Sequence, residues 1–279
     1  MRPNPERGPI EEGSQALLAD AIRPDWAAAP NVIALMSGRA GGVSAAPFES
    51  LNLRSPALGG EAVDAPAAVR ENQRRFALAL GAQPVWLAQV HGVEVLRLRS
   101  QHLLSGAPLP RADASITTEP GLACTVLVAD CLPLLLCSRN GLAVGAVHAG
   151  WRGLAQGVIE RSVAMLCDAA GCAPDQLLAW LGPCIGPAAF EVGADVLQAF
   201  GQRPEAPDAA VFRSSPRADG SARWRADLAA LARQRLASSG VLSVSGGSWC
   251  TVSDASRFFS FRRDGRTGRL AAAVALRCG

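Results

Sequence analysis

Lysine and tyrosine are absent from this chain of 279 residues, and histidine occurs only three times. Without lysine every basic residue is an arginine, the net charge is only +3, and no basic run is present to track a phosphate backbone. Nucleic acid is therefore excluded as the main partner. The missing lysine and tyrosine otherwise read as compositional drift and carry no functional weight. Residues 1–30 lack the apolar core of a secretory signal and hold too many acids for a transit peptide, so they read as a polar lead-in, disordered or extended. The longest apolar stretch, Leu122 to Cys137, is interrupted by Asp130 and Pro133 and falls short of the roughly 20 residues a membrane span requires. No span is expected. The eight cysteines are irregularly spaced in a long chain without a signal, which argues against a disulfide framework and for reduced thiols in a cytoplasm. Internal repeats and low-complexity tracts are missing as well.

What is present is apolar surface. Hydrophobic residues make up 49% of the chain, enough for a sizeable core, and residues 31–279 read as a single domain. Val32 to Met36 reads as a short buried strand, followed by the glycine-rich turn Ser37 to Ser44. That turn is not a GxGxxG fingerprint, but Arg39 within it is shaped to fork onto phosphate or carboxylate. Val63 to Leu80 has helical spacing of apolar residues and ends at Gly81. Val85 to Val90 reads as a strand delivering His91 and Gly92, Val93 to Leu98 as a second, and Asp113 opens a third. Helices are expected from Leu154 to Leu166, from Glu191 to Phe200 and from Asp227 to Ser238; strands from Leu177 to Leu181, from Val241 and from Leu270 to Leu276. Gly201 to Arg223 reads as a surface loop.

The stretch Thr125 to Gly153 organises the remainder. Its apolar run breaks at Ala129-Asp130-Cys131, turns at Arg139-Asn140-Gly141 and runs again to His148, so a thiol and an imidazole sit at the ends of buried segments. Buried polar groups require partners, since an unpaired one costs about 1–3 kcal/mol. His91 lies at another strand end beside glycine. Two imidazoles and one thiolate suit zinc, and three protein ligands leave a fourth position open, as catalytic sites do. Close CxxC and HxxxH spacings are lacking, so a second chemistry stays open: Cys131 as nucleophile, His148 or His91 as base, and Asp130 or Asp113 orienting the imidazole. Arg39, Arg152 and the N-terminus of the helix from Leu154 are candidates for an anion site. Arg262, after the aromatic alternation Phe258-Phe259-Ser260-Phe261, is expected to point inward. His102, in a polar loop, is expected to be solvated, and Cys167 and Cys172 to be inert.

The strings QVHG (Gln89 to Gly92), ADC-x-P (Ala129 to Pro133), HAGWRG (His148 to Gly153), LGPCIG (Leu181 to Gly186), FEVG (Phe190 to Gly193) and FFSFRRDGRTGR (Phe258 to Arg269) occur in order. Together they resemble the multicopper polyphenol oxidase, or laccase-domain, family, which is also associated with purine nucleoside phosphorylase activity and with peptidoglycan editing. The resemblance runs from about Val32 to the C-terminus. It implies an α/β fold, a layered α/β/β/α arrangement with mixed β-sheets similar to cysteine hydrolases, and zinc held by His91, Cys131 and His148. The implied activity is phosphorolysis of adenosine, inosine and methylthioadenosine with adenosine deamination as a second reaction; the implied alternative is an amidase that removes a wrongly incorporated L-Ser from UDP-MurNAc peptidoglycan precursors. Asp113, Asp130, Arg39, Arg152 and Arg262 are then the expected substrate contacts. Partners would be a nucleoside and phosphate, with the protein a monomer or weak homodimer. Copper, which the oxidase label implies, fits poorly, because three histidines cannot furnish several metal centres. Phe190 and Phe261 stand where relatives are expected to carry Tyr.

Overall fold

The computed structural model describes residues 17–59, 63–104 and 108–278. A four-stranded sheet has the order β1 (Val32–Met36), β13 (Leu270–Leu276), β5 (Leu122–Val128), β2 (Gln83–Val85). A six-stranded sheet has the order β12 (Ser243–Gly246), β8 (Leu177–Leu181), β6 (Leu132–Ser138), β7 (Val144–Ala149), β4 (Ala114–Thr117), β3 (Val95–Arg97). A small ribbon joins β10 (Phe212–Ser214), β11 (Trp224–Ala226) and β9 (Glu191–Val192). In the two larger sheets β2 on β5, β3 on β4 and β12 on β8 are parallel while the other pairings are antiparallel, so both are mixed.

The layering follows from where successive side chains go. On β5, Cys124, Val126 and Val128 join Leu135 and Cys137 of β6 in a core between the two sheets. Ala123 and Leu127 point the other way, toward Phe76 and Leu80 of helix α1 (Pro66–Leu80). On β6, Leu132, Leu134 and Leu136 join a third core. That core lies beneath α3 (Val158–Ala170) and α5 (Leu228–Ser238), whose buried residues complete it. Helix, sheet, sheet and helix therefore stack in that order, as expected. With apolar cores on both faces, these strands have no polar side to show, which is why Leu122–Val128 and residues 132–137 each read as a near-continuous apolar run instead of alternating.

Local chemistry sets the ends of the helices. Pro66 supplies the preset φ of a first helical turn, and Gly81, at φ 77°, closes α1 with its N–H on Ala77 O. Asp227 caps α5 by accepting from Ala230 N at 2.9 Å. Between Trp151 and Ala170 the chain makes two helices, α2 (Trp151–Gln156) and α3, rather than the single one expected. Gly157 at φ 96° is the break: a left-handed residue there ends α2 and starts α3 in a new direction. The helix expected from Glu191 likewise begins only at α4 (Ala194–Ala199), because extended backbone at Gly193 follows the short strand β9.

Other boundaries also moved. The strand expected over Val85 to Val90 ends at Val85, and the loop Gly201 to Arg223 contains β10. Of the lead-in, residues 17–20 are helical, Leu17 is fully buried, and Ile22 pairs with Met36. These residues pack on the body instead of fraying; residues 1–16 lie outside the described residues. No described helix is long and apolar enough to cross a membrane.

Strand β13 turns Leu270, Ala272, Val274 and Leu276 to the inter-sheet core and Ala271, Ala273 and Ala275 to the core under α1. Small side chains there let the helix layer approach the sheet. Replacing Ala273, which is fully buried, by Leu should destabilise the protein by about 1–3 kcal/mol through overpacking. Urea unfolding measures this, and an unchanged midpoint would contradict the close helix-to-sheet packing.

Candidate metal centre

Register brings three strand ends together. Pro133 of β6 faces His148 of β7, and Ala114 of β4 faces Val147, so Cys131, His148 and Asp113 share one edge of the six-stranded sheet. Asp130 is bent into the left-handed region at φ 94°, which turns Cys131 off the line of β5. Two bonds at 2.6 Å hold that bend, from Thr251 Oγ1 and from the Arg262 N–H, both donating to the Asp130 carboxylate.

His91 arrives from the opposite side. Its loop is tied to β5 by Gln89, whose carboxamide donates to Leu127 O at 2.9 Å and accepts from Leu127 N at 2.7 Å. His91 itself sits at φ 60°. The loop closes over the fully buried Asp113 carboxylate, which accepts from Val90 N at 3.1 Å, His91 N at 2.8 Å and Gly92 N at 2.7 Å. The same carboxylate accepts from His148 Nδ1 at 2.8 Å. Bonding Nδ1 there leaves Nε2 of His148 for a metal, the usual outer support of a histidine ligand.

The donor atoms of His91, Cys131 and His148 all lie within 4.8 Å of one another, with Cys131 Sγ 3.7 Å from His91 Nε2. Gly150 makes this approach possible: a β-carbon on it would lie 2.8 Å from His91 Cδ2 and 3.2 Å from Cys131 Sγ. The set fits a borderline-soft divalent ion such as zinc, with two imidazoles, one thiolate and a carboxylate fixing one ring. Among the described residues no other group of three or more such donors occurs.

Electrostatics favour the ligand-ready state of the thiol. Burial pushes Cys131 up, but the charge of His148 and hydrogen bonds from His148 and His91 outweigh it and bring the thiol down to about 6. Burial likewise opposes charge on His148, yet the Cys131 thiolate and Asp113 raise it to about 9. Asp113, despite burial, is held below the ordinary carboxylate range by His148 and the Gly92 N–H. The buried thiols of Cys124 and Cys137 are pushed up to about 12. All eight cysteines are unpaired.

The three donors form the floor of a cleft of about 580 Å³. Leu87, Leu127, Val128, Ile185 and Leu228 give it apolar walls, Trp151, Phe190 and Phe261 give aromatic ones, and Arg54, Arg152, Arg262 and Arg269 line it as well.

Residues 33–277 match the family described as multi-copper polyphenol oxidoreductase laccase. The chain belongs to this family. It is 49% identical over 254 residues to a Pseudomonas aeruginosa protein named purine nucleoside phosphorylase PA4543, covering 91% of this chain and 97% of that one. It is 44% identical over 259 residues to purine nucleoside phosphorylase YfiH of Escherichia coli, covering 92% and 99% of the two chains. Among solved structures, Neisseria meningitidis protein NMB0706 superposes with a TM-score of 0.80 at 42% identity, over 93% of this chain and 100% of that one. The name of the laccase family speaks of several coppers, but among the described residues one group of donors occurs, and the third histidine, His102, has its ring against Arg99, where Nδ1 accepts from the Arg99 N–H at 2.9 Å.

Of the substrate contacts expected from sequence, Asp130, Arg152 and Arg262 line the cleft of this laccase-family member, while Arg39 and Asp113 do not. Arg39 spends its guanidinium on two carbonyls, Glu49 O at 3.1 Å and Ala255 O at 2.9 Å, and stacks 4.9 Å from the centre of the Phe259 ring. It braces the glycine-rich turn. Asp113 is enclosed by its four donors, so it positions the donors of the metal centre without touching the cleft. The anion-ready helix begins at Trp151, not Leu154, and Arg152 lies 4.3 Å over the Trp151 ring. Arg262 Nη1 donates to Glu191 O at 3.2 Å beside the Phe190 ring. Arg54 and Arg269 were not anticipated. The alternation Leu51-Asn52-Leu53 before Arg54 marks an anchored, extended segment, and Arg269 ends the string that starts at Phe258.

Two outcomes follow from this arrangement. Asp113→Asn puts an amide where backbone N–H groups now donate, and should weaken the affinity of the site for an added divalent ion by roughly 10–100-fold. Competition with a chromogenic chelator reads this, and wild-type affinity would refute the orienting role. In metal-stripped protein, iodoacetamide should alkylate Cys131 with a half-maximal rate near pH 6, since the thiolate is lost only below that value, whereas an ordinary thiol titrates near about 8.5. Peptide mapping across pH locates the midpoint, and an ordinary value at Cys131 would contradict the thiolate–imidazolium pair.

Proposed function

We propose that the protein is a zinc-dependent purine nucleoside phosphorylase acting on adenosine, inosine and methylthioadenosine, with adenosine deamination as a second reaction of the same cleft. The observation that carries this reading is the juxtaposition of an open His91, Cys131 and His148 donor set with aromatic walls and arginines in one cleft. The names of the relatives point to the same chemistry.

His91, Cys131 and His148 would hold the ion, which when bound supplies Lewis-acid polarisation. Trp151, Phe190 and Phe261 offer faces on which a purine stacks. Phe in place of the expected Tyr at 190 and 261 makes these contacts purely apolar and aromatic. Arginine guanidinium groups supply the anion recognition that a phosphate co-substrate demands.

A second reading is favoured by the hydrogen-bonded order Cys131, His148, Asp113, which is that of a nucleophile, base and orienting acid. It corresponds to an amidase releasing L-Ser from a UDP-MurNAc peptidoglycan precursor. The two readings separate in one experiment. Zinc-loaded protein incubated with inosine and phosphate should release hypoxanthine and ribose 1-phosphate, and Cys131→Ala should lower that rate by at least about 100-fold. Serine release from the muropeptide precursor without phosphorolysis would reject the phosphorylase reading in favour of the amidase.

A further inference from the structure

A buried polar network stands behind one wall of the cleft and takes no part in holding the metal donors. At its centre is Asn52, 1% exposed. One atom, Asn52 Oδ1, accepts from Arg54 N at 3.2 Å and from Arg269 N at 2.9 Å, and Leu53 N donates to Arg269 O at 3.1 Å. Asn52 Nδ2 donates to the buried Asp64 carboxylate at 3.0 Å, which also accepts from Ser44 Oγ at 2.6 Å. Asn72, fully buried, donates to Asn52 O at 2.9 Å and to Ser44 Oγ at 2.8 Å. Networks of this kind stabilise only when every member is satisfied, and they specify one arrangement. The arrangement specified here places Arg54 and Arg269, from distant parts of the chain, side by side on one cleft wall.

Arg269 is half-buried. Its Nη1 donates to Thr267 O at 3.2 Å and Gly268 O at 3.1 Å, and its Cζ lies 5.8 Å from the centre of the Phe261 ring. Among the described residues these are its side-chain contacts, and no carboxylate pairs with it. Burial, and then the charge of Arg54, works against its own charge, while Cys131 and Asp130 across the cleft partly offset that. Arg269 is a partly desolvated cation beside a second arginine, with no carboxylate paired to it among the described residues, and such a group is unfavourable as it stands. A protein that fixes Arg269 in this position from a dedicated network has a place for an oxyanion at it.

We propose that Arg269, with Arg54 beside it, binds the inorganic phosphate of the phosphorolysis. The proposal rests on the phosphorylase reading and assigns its co-substrate subsite. The planar guanidinium fork matches two phosphate oxygens. In the step served, an oxygen of monohydrogen phosphate bonds to C1′ of the ribose as the bond from C1′ to the base nitrogen breaks. The bonding pair leaves with the base, which takes the proton that phosphate gives up. Asn52 is a positioning residue for both arginines.

The test uses full-length, zinc-loaded protein. Equilibrium dialysis with radiolabelled inorganic phosphate, in the absence of nucleoside, should show binding that Arg269→Gln weakens by about tenfold or more, the loss of charged hydrogen bonds. Arg269→Lys keeps the charge without the fork and should fall between the two. Arg70→Gln, on the exposed side of α1, should bind like wild type. In steady-state assays Arg269→Gln should raise KM for phosphate by a similar factor, with zinc content unchanged and KM for inosine within about twofold. Wild-type protein that binds no phosphate, or equal binding by the wild type and whichever Arg269 variants fold, would overturn the assignment. Phosphate bound through Arg269 without ribose 1-phosphate formation would instead reject the phosphorylase reading and leave the anion site standing. Phosphorolysis with wild-type KM for phosphate in Arg269→Gln would do the reverse.

Discussion

The Asp113 carboxylate is the interaction on which the site depends. An ionised carboxylate buried without partners is strongly unfavourable, and burial is tolerated only when hydrogen bonds replace the lost water. Asp113 receives four: three consecutive backbone N–H groups of the Val90 to Gly92 loop and Nδ1 of His148. These bonds do two tasks at once. They satisfy the charge, and they fix two of the three metal donors, one through its backbone and the other through its ring. His91 can be held at φ 60° because its N–H and those of both neighbours are bonded to the same group.

That carboxylate is placed by the sheet. Asp113 immediately precedes β4, whose pairing with β7 brings it to His148, and β7 in turn pairs with β6, which follows Cys131. Two apolar cores, one on each face of the six-stranded sheet, make these registers stiff, because a slip of one residue would exchange every buried side chain for one facing the wrong core. Packing energy spread over many apolar residues thereby fixes a few polar atoms to within hydrogen-bonding distance.

Much of this was legible from residues. The helices α1 and α5, the strand β13 and the trio His91, Cys131 and His148 follow from periodicity, caps and the positions of soft ligands at the ends of apolar runs. Asp130 could be read as a bend because an acid and a proline interrupt a strand-like run. Other features are products of tertiary contact. Gly157 breaks a helix that periodicity alone would continue, Leu17 is buried against a body that the polar lead-in as a whole does not announce, and Arg39 is claimed by the carbonyls of Glu49 and Ala255, both met only on folding. Arg54 and Arg269 were hidden for the same reason. One carboxamide oxygen of Asn52 joins them across the chain, and neither local spacing nor composition encodes that meeting.

The charges of the cleft form a consistent set. The two positive charges of a divalent ion at His91, Cys131 and His148 would be balanced by the Cys131 thiolate bound to it and the Asp113 carboxylate behind it. Asp130, which also lines the cleft, accepts from the neutral Thr251 hydroxyl and Arg262 N–H and keeps its negative charge. Among the described lining residues one acid, Asp130, then faces four arginines, Arg54, Arg152, Arg262 and Arg269. A site neutral at its metal and cationic at its walls would favour an anion beside the ion over one on it, and under the phosphorylase reading a phosphate held by the wall would leave the remaining metal position for the other reactant. This separation of tasks ties the Asp113 network on one side of the cleft to the Asn52 network on the other.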